Sequence, residues 1–283
     1  MFVFRLSAVM RSVTAVSYGE DMAFDEPLPM TLSPSRLNDF RACPRRYQYA
    51  SVERRPQPAS YASAKGRLVH FVLEHLMKLS SVERDIARAR EFVAPAVESV
   101  LTEQVRADID LDDERLARLL AEIDSILVSY FDMEDPRLVA HEGVELRLGA
   151  DVEGAPLFGI LDRLDRGEDG ELVIVDYKTG KLPNRRYDSE TFANAELYAA
   201  LCRASLGEQP ATIRLLYVAH GESIERRVTD VVVKARGAAA ASAWSRIRRY
   251  YDDGDFPATP STHACRFCAF KDVCRANGVA VPV

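Results

Sequence analysis

Gly159-Ile-Leu-Asp162-Arg-Leu-Asp165, a turn at Gly167-Glu-Asp-Gly170, and then Leu172-Val-Ile-Val-Asp176-Tyr-Lys178-Thr-Gly-Lys181 decide the fold. The two apolar runs, divided by glycine-rich punctuation, read as consecutive strands, each delivering a carboxylate near its end. Side chains alternate along a strand, so Asp176 and Lys178, two apart, share one face of the sheet. An acid and an amine are thereby aimed at one point. Ionisable groups avoid sheet cores unless paired or liganded, which makes the stretch a site: Asp162 and Asp176 hold a divalent cation, and Lys178 addresses the water or phosphate beside it. From the tripeptide alone, a solvated Asp–Lys pair at a strand end is the commoner meaning.

Working outward, Val144-Glu-Leu-Arg-Leu148 alternates apolar and polar positions, Asp151-Val-Glu-Gly154 is a turn, and Leu157–Leu164 returns as the next strand. With Leu172–Lys178 these make a three-stranded antiparallel meander. Downstream come a helix near Ser189–Ser205, strands at Ile213–Ala219 and Ser223–Thr229, and a long helix over about Val232–Asp252 that carries Lys234, Arg236, Arg246, Arg248 and Arg249. Upstream, Ser33-Pro34-Ser35 starts a helix with capping residues and a first-turn proline. Pro44, directly after Cys43, kinks or restarts it. A second helix over Ala62–Leu79 has an apolar stripe of Leu68, Phe71, Val72, Leu76 and Leu79, with His70 beside it. On such a helix a lone histidine is more often a boundary residue than a ligand. Two amphipathic helices, Val82–Val105 and Asp113–Phe131, form an inserted layer or lid within residues 82–135. The order α, βββ, α, β is an α+β layer architecture.

A chain of 283 residues, 47% hydrophobic, can bury a sizeable core, and residues 31–283 read as one domain. The acidic, aperiodic residues 1–30 read as a poorly ordered extension. No apolar run approaches the roughly 18 residues needed to span a bilayer, and no signal-peptide core is evident at the start, so the cytoplasm is the default location. A net charge of −6 argues against non-specific coating of nucleic acid but not against a local basic groove. From Arg36 to Arg67 eight basic residues face two acids, with Tyr47, Tyr49 and Tyr61 interleaved. That pattern suits phosphate contact with base stacking, and equally a solvated helix face.

Cys265-x2-Cys268-x5-Cys274 places three of the five cysteines within ten residues. In a chain without an export signal these read as metal ligands rather than disulfides. Zinc and an iron–sulfur cluster both accept thiolates and want a fourth ligand, which His263 can supply for zinc and Cys43 for a four-thiolate cluster. Cys202, in an apolar helix, reads as a buried free thiol. No Gly-x4-Gly-Lys-Ser/Thr loop is present, so ATP-driven unwinding requires a partner.

Gly66-Arg-Leu-Val-His70, Gly159-Ile-Leu-Asp162, Asp176-Tyr-Lys178 and a helical Tyr198, in this order, resemble the RecB-like exonuclease branch of the PD-(D/E)xK superfamily. One cysteine before the histidine motif and three after the last core element resemble its iron–sulfur subgroup, which includes the AddB nuclease domain and the CRISPR-adaptation nucleases. The resemblance spans roughly Leu32 to Cys274. It implies a restriction-endonuclease-like core (α, three-stranded antiparallel meander, α, β) with an inserted helical layer and a cysteine segment over residues 260–276.

The same resemblance implies a metal-dependent DNA exonuclease acting on ends or single strands in repair or recombination. His70, Asp162, Asp176 and the Tyr177 carbonyl match its ligands for Mg²⁺ or Mn²⁺. Lys178 matches the lysine that positions or activates water, with a lowered pKa as a further expectation, and Tyr198 matches the helical tyrosine. Cys43, Cys265, Cys268 and Cys274 match the ligands of a [4Fe–4S] cluster, preferred on this ground over Zn²⁺. Arg36, Arg41, Arg45, Arg46, Arg67 and Lys181 are the expected DNA contacts. Asn194, four residues before Tyr198, stands where the family usually carries glutamine. Glu145 reads as solvent-facing rather than as an added ligand. The implied partners are DNA and a helicase or other repair protein, with no membrane. A non-catalytic DNA-binding iron–sulfur module serving a helicase or CRISPR-type assembly is the alternative.

Overall fold

A computed structural model describes residues 24, 26–184 and 191–282. The meander expected around the opening motif is present and longer than the apolar alternation indicates. Strand β1 covers His141–Val152, β2 covers Ala155–Arg166 and β3 covers Leu172–Tyr177. The first hairpin closes on Val152↔Ala155 with Glu153 and Gly154 at its tip, at φ +54° and +89°. Two left-handed residues in a two-residue loop match the twist of antiparallel strands, and Gly154 adopts that conformation without a Cβ penalty. Helix α8, Ala193–Leu206, returns the chain so that β4, Thr212–Tyr217, pairs parallel with β3. Strand β5, Glu222–Arg227, adds an antiparallel edge, giving the five-stranded order β1-β2-β3-β4-β5.

The alternation along β3 assigns its residues to two cores. Leu172 and Ile174 face a cluster with Leu37 and Phe40 of α1 (Pro34–Ala42), with α8, and with Trp244 and Ile247 of α9 (Asp230–Asp252). Val173, Val175 and Tyr177 face the other cluster, with Leu68, Val72 and Leu76 of α3 (Tyr61–Met77) and Leu119, Ile123 and Tyr130 of α7 (Asp113–Met133). Helices on both faces of a mixed sheet constitute the α+β, restriction-endonuclease-like architecture that the sequence implies. Among the described residues no helix is long and apolar enough to cross a membrane.

Three expectations change. The Val82–Val105 helix is broken into a 3₁₀ turn at Ser81–Glu83 and short helices α4 (Ile86–Glu91), α5 (Val93–Val100) and α6 (Glu103–Asp108). Asp85 and Thr102 cap new starts with their side chains, and Pro95 has no N–H to continue a helix from Glu91. With α3 and α7 these pieces form a layer against one sheet face rather than a lid. The second change concerns the N-terminal extension, of which residues 1–23 and 25 lie outside the described residues. Phe24 stacks on Tyr251 with ring centroids 5.3 Å apart, and the Glu26 carbonyl accepts from the Tyr251 hydroxyl at 3.1 Å, so the stretch leading to α1 is packed on the core. Third, Tyr47 and Tyr49 are buried and so are not presented for base stacking, whereas Tyr61 is half-buried and donates its hydroxyl to Glu122 at 3.0 Å. The start of the helix expected from Ser189 lies outside the described residues. Pro44 does restart the first helix: Cys43 is extended, and α2 (Pro44–Tyr47) follows it.

Candidate active site

His70 on α3, Glu145 on β1, Asp162 on β2 and Asp176 on β3 are brought to one end of the sheet, and the peptide of Tyr177 is the bracket that joins them. Its N–H donates to Asp162 Oδ2 at 2.8 Å, and its carbonyl accepts from His70 Nε2 at 3.1 Å. His70 Nδ1 then lies 3.4 Å from Asp162 Oδ1. Helix α3 can come this close to the loop after β3 because Gly66, one turn before His70, has no side chain: a Cβ there would stand 3.1 Å from Thr179 Oγ1. Burial acts against a charged His70, but Asp162, followed by Asp176 and Glu145, outweighs it, and the imidazole pKa is raised.

Glu145 is the residue that sequence reasoning placed wrongly. The register flanking it, Val144↔Arg163 and Leu146↔Leu161, sets it opposite Asp162. Its φ is +48°, a conformation a non-glycine residue adopts at some cost and one that recurs at functional sites. It is half-buried rather than solvent-facing, and donor atoms of His70, Glu145 and Asp162 all lie within 4.8 Å of one another. Burial, then Asp162 and Glu74, raise the Glu145 pKa. Asp176 lies outside this trio but beside it, and its pKa is raised by burial and by Asp162 against the pull of Lys178. These carboxylates repel one another, and a cation relieves that repulsion; imidazole with converging carboxylate oxygens fits Mg²⁺ or Mn²⁺.

The family model of the PD-(D/E)XK nuclease superfamily matches residues 31–275. The chain belongs to that superfamily. Among solved structures, the crystal structure of SSO0001 is similar at 16% identity and a TM-score of 0.35, over 75% of this chain and 84% of that one. No curated protein matches the chain.

In this nuclease-superfamily chain Lys178 is not the depressed amine expected of a base. Its Nζ stands 2.5 Å from Asp176 Oδ2, and although burial lowers its pKa, Asp176 more than compensates and the net shift is upward. This ion pair places the Lys178 amine beside the metal-binding carboxylates. Tyr198 lies over the Gly159 backbone, and its pKa is pushed up to about 12 by burial and then by Asp162 and Asp176, so it remains a neutral phenol. A Cβ at Gly159 would fall 2.3 Å from Tyr198 Cε1. Gly159→Ala is therefore expected to displace that ring and to destabilise the fold by about 1–3 kcal/mol, read as a lower urea midpoint at unchanged m value. Asn194 points away from the metal-binding group: its Oδ1 accepts from Asn38 Nδ2 on α1 at 2.9 Å. The shorter amide thus ties α8 to α1.

Three of the six expected DNA contacts have partners within the chain. Arg36 donates to the Thr31 carbonyl at 2.9 Å, Arg45 pairs with Asp255 at 2.9 Å, and Arg46 pairs with Asp39 at 2.8 Å. Arg41, Arg67 and Lys181 are exposed and form no ion pair with the described residues.

Cys43, Cys265, Cys268 and Cys274 line one cavity with Tyr49 and Phe270, although no three of their sulfurs lie mutually within 4.8 Å. A single tetrahedral zinc with bonds of about 2.3 Å needs sulfurs roughly 3.8 Å apart, closer than this arrangement. Burial, then Cys268, Cys43 and Cys265, raise the Cys274 pKa. The Thr259 N–H donates to Cys43 Sγ at 3.4 Å. His263 is exposed and does not line the cavity, which removes its claim as a fourth ligand. Cys202 is buried, and burial pushes its thiol up to about 12, as suits an inert core residue.

Proposed function

We propose that the chain is a metal-dependent deoxyribonuclease of the RecB-like branch, acting exonucleolytically on DNA ends or single strands in repair or recombination in the cytoplasm, with a helicase or other repair protein as partner. The observation that carries this reading is the convergence of His70, Glu145 and Asp162 beside an Asp176–Lys178 ion pair at one end of the sheet. His70, Glu145, Asp162 and Asp176 hold Mg²⁺ or Mn²⁺, with the Tyr177 carbonyl as a further oxygen donor. When bound, the cation supplies Lewis-acid stabilisation of charge on the phosphate and a more acidic water. The chain's own residues do the rest: Lys178 holds an oxygen of the water or phosphate in place, Tyr198 offers a phenolic proton from above Gly159, and Tyr177 fixes the spacing of His70 and Asp162.

Cys43, Cys265, Cys268 and Cys274 hold a [4Fe–4S] cluster, supported by four thiols lining one largely apolar cavity. The cluster ties the C-terminal segment to the end of α1, closing a loop of more than two hundred residues. Protein purified anaerobically is expected to be brown with iron and sulfide, and to shorten end-labelled single-stranded DNA with Mn²⁺ or Mg²⁺ but not with EDTA. Stoichiometric zinc in a colourless preparation would overturn the cluster. Degradation that persists in EDTA would overturn the metal dependence, and no degradation at all would overturn the nuclease reading and leave a non-catalytic binding module.

A further inference from the structure

We propose that the groove between α1 and α9 is a second strand-binding subsite, which seats a phosphate of single-stranded DNA between Arg41 and Arg246, with Arg249 adjoining. The inference rests on the nuclease reading for its ligand class. The groove itself encloses about 350 Å³ between Phe40 and Arg41 on one wall and Ala239, Ala243, Arg246 and Tyr250 on the other. Small residues on α9 leave room for a sugar–phosphate backbone to lie close.

The charge there is uncompensated. Arg246 Cζ lies 5.3 Å from the Phe40 ring centroid and 5.8 Å from that of Tyr250, and Arg249 Cζ lies 5.4 Å from the same tyrosine. Neither arginine forms an ion pair with the described residues, and nor does Arg41. Of the neighbouring acids, Asp39 is engaged with Arg46, Asp255 with Arg45, and Glu196 with Arg226 and Arg236, while Asp252 and Asp253 at the end of α9 form no ion pair with the described residues. The Arg41 pKa is lowered by burial and then by Arg236, and the Tyr250 pKa is lowered by Arg246 and Arg249. Three guanidiniums without ion pairs among the described residues, two of them held against aromatic rings, form a concentrated anion site in a chain of net charge −6.

Its position suits a strand running to the catalytic centre. Asn38, one turn before Arg41, bonds Asn194, and Tyr198, one turn beyond Asn194, lies over Gly159. Through these contacts α1 and α8 connect the wall of the groove to the end of the sheet that carries the metal-binding group. At its far end Thr259 lines the groove and bonds Cys43, so the cysteine segment shapes that end.

The test compares wild type with Arg41→Ala and Arg246→Ala, using a labelled 20-nucleotide strand in EDTA for binding and, with Mn²⁺, the p-nitrophenyl ester of thymidine monophosphate, which is too short to reach the groove. Each variant is expected to weaken strand binding about tenfold and to flatten the salt dependence of log K by about one, with ester hydrolysis unchanged. Arg246→Lys should recover most of the salt slope. Unchanged binding and slope in both alanine variants would overturn the subsite. Arg41 is exposed, so its variant keeps the test valid if Arg246→Ala misfolds. A wild type that binds the strand with this arginine dependence but cleaves nothing would retain the subsite and refute the nuclease reading.

Discussion

Asp176→Asn is expected to lower the rate of DNA hydrolysis by about a thousandfold. The rate follows from the loss of a carboxylate beside the trio of His70, Glu145 and Asp162: about 4 kcal/mol of electrostatic stabilisation corresponds to three decades in rate. Stability is set by two opposed effects. Neutralising Asp176 relieves its repulsion by Asp162 but leaves the Lys178 ammonium without its carboxylate, so the variant is expected to lose some stability as well. Lys178→Ala should separate the two roles. It leaves Asp176 buried without its ammonium and so costs stability as well as rate, while Mn²⁺ binding measured by calorimetry stays near wild type. Asp176→Asn should weaken that binding. If Lys178→Ala instead weakens Mn²⁺ binding as much as Asp176→Asn, the division between metal-holding acid and water-orienting lysine is wrong.

Much of this site was readable because its signals are local. Asp162, Asp176 and Lys178 lie at strand ends marked by glycine punctuation, and the Gly66–His70 spacing of one helical turn has a steric reason in the approach to Thr179. Glu145 was misplaced because its role depends on register. Only a loop of two residues at Glu153-Gly154 puts it opposite Asp162, and a turn read as Asp151–Gly154 leaves that partner undetermined. The single φ of +48° that turns it has no sequence signal. Basic residues were easier to count than to assign, since Arg45 and Arg46 find acids at Asp255 and Asp39 only once α1 and the residues after α9 are folded together. The same holds for Tyr47 and Tyr49, which entered the core as a result of α1 and the cysteine segment packing over them. The direction of the Lys178 pKa likewise depended on a 2.5 Å contact rather than on composition.

Arg163→Ala is expected to destabilise the fold by about 3–5 kcal/mol and to impair the site although Arg163 touches no substrate position. Its side chain is fully buried, donating to Asp165 at 2.8 and 2.9 Å, to Glu134 at 2.6 and 3.0 Å, and to the Tyr177 hydroxyl at 2.7 Å. Glu134 follows the last turn of α7, so one guanidinium ties the inserted helical layer to β2 and to the residue whose peptide brackets His70 and Asp162. Removing it strands two carboxylates in a low-dielectric interior, where each costs far more than the salt bridge contributes when intact. Burial opposes ionisation of Glu134, yet Arg163 holds its pKa below the ordinary carboxylate value, so this acid in particular loses its reason to be charged. Arg163→Met combined with Glu134→Gln and Asp165→Asn fills similar volume without stranded charge and should recover most of the lost stability in urea titrations. Activity should recover less, because in that triple variant the Tyr177 hydroxyl loses its guanidinium donor and keeps only the Tyr130 hydroxyl, which loosens the residue that spaces the metal-binding side chains. Equal recovery of stability and activity would show that the network supports the fold alone.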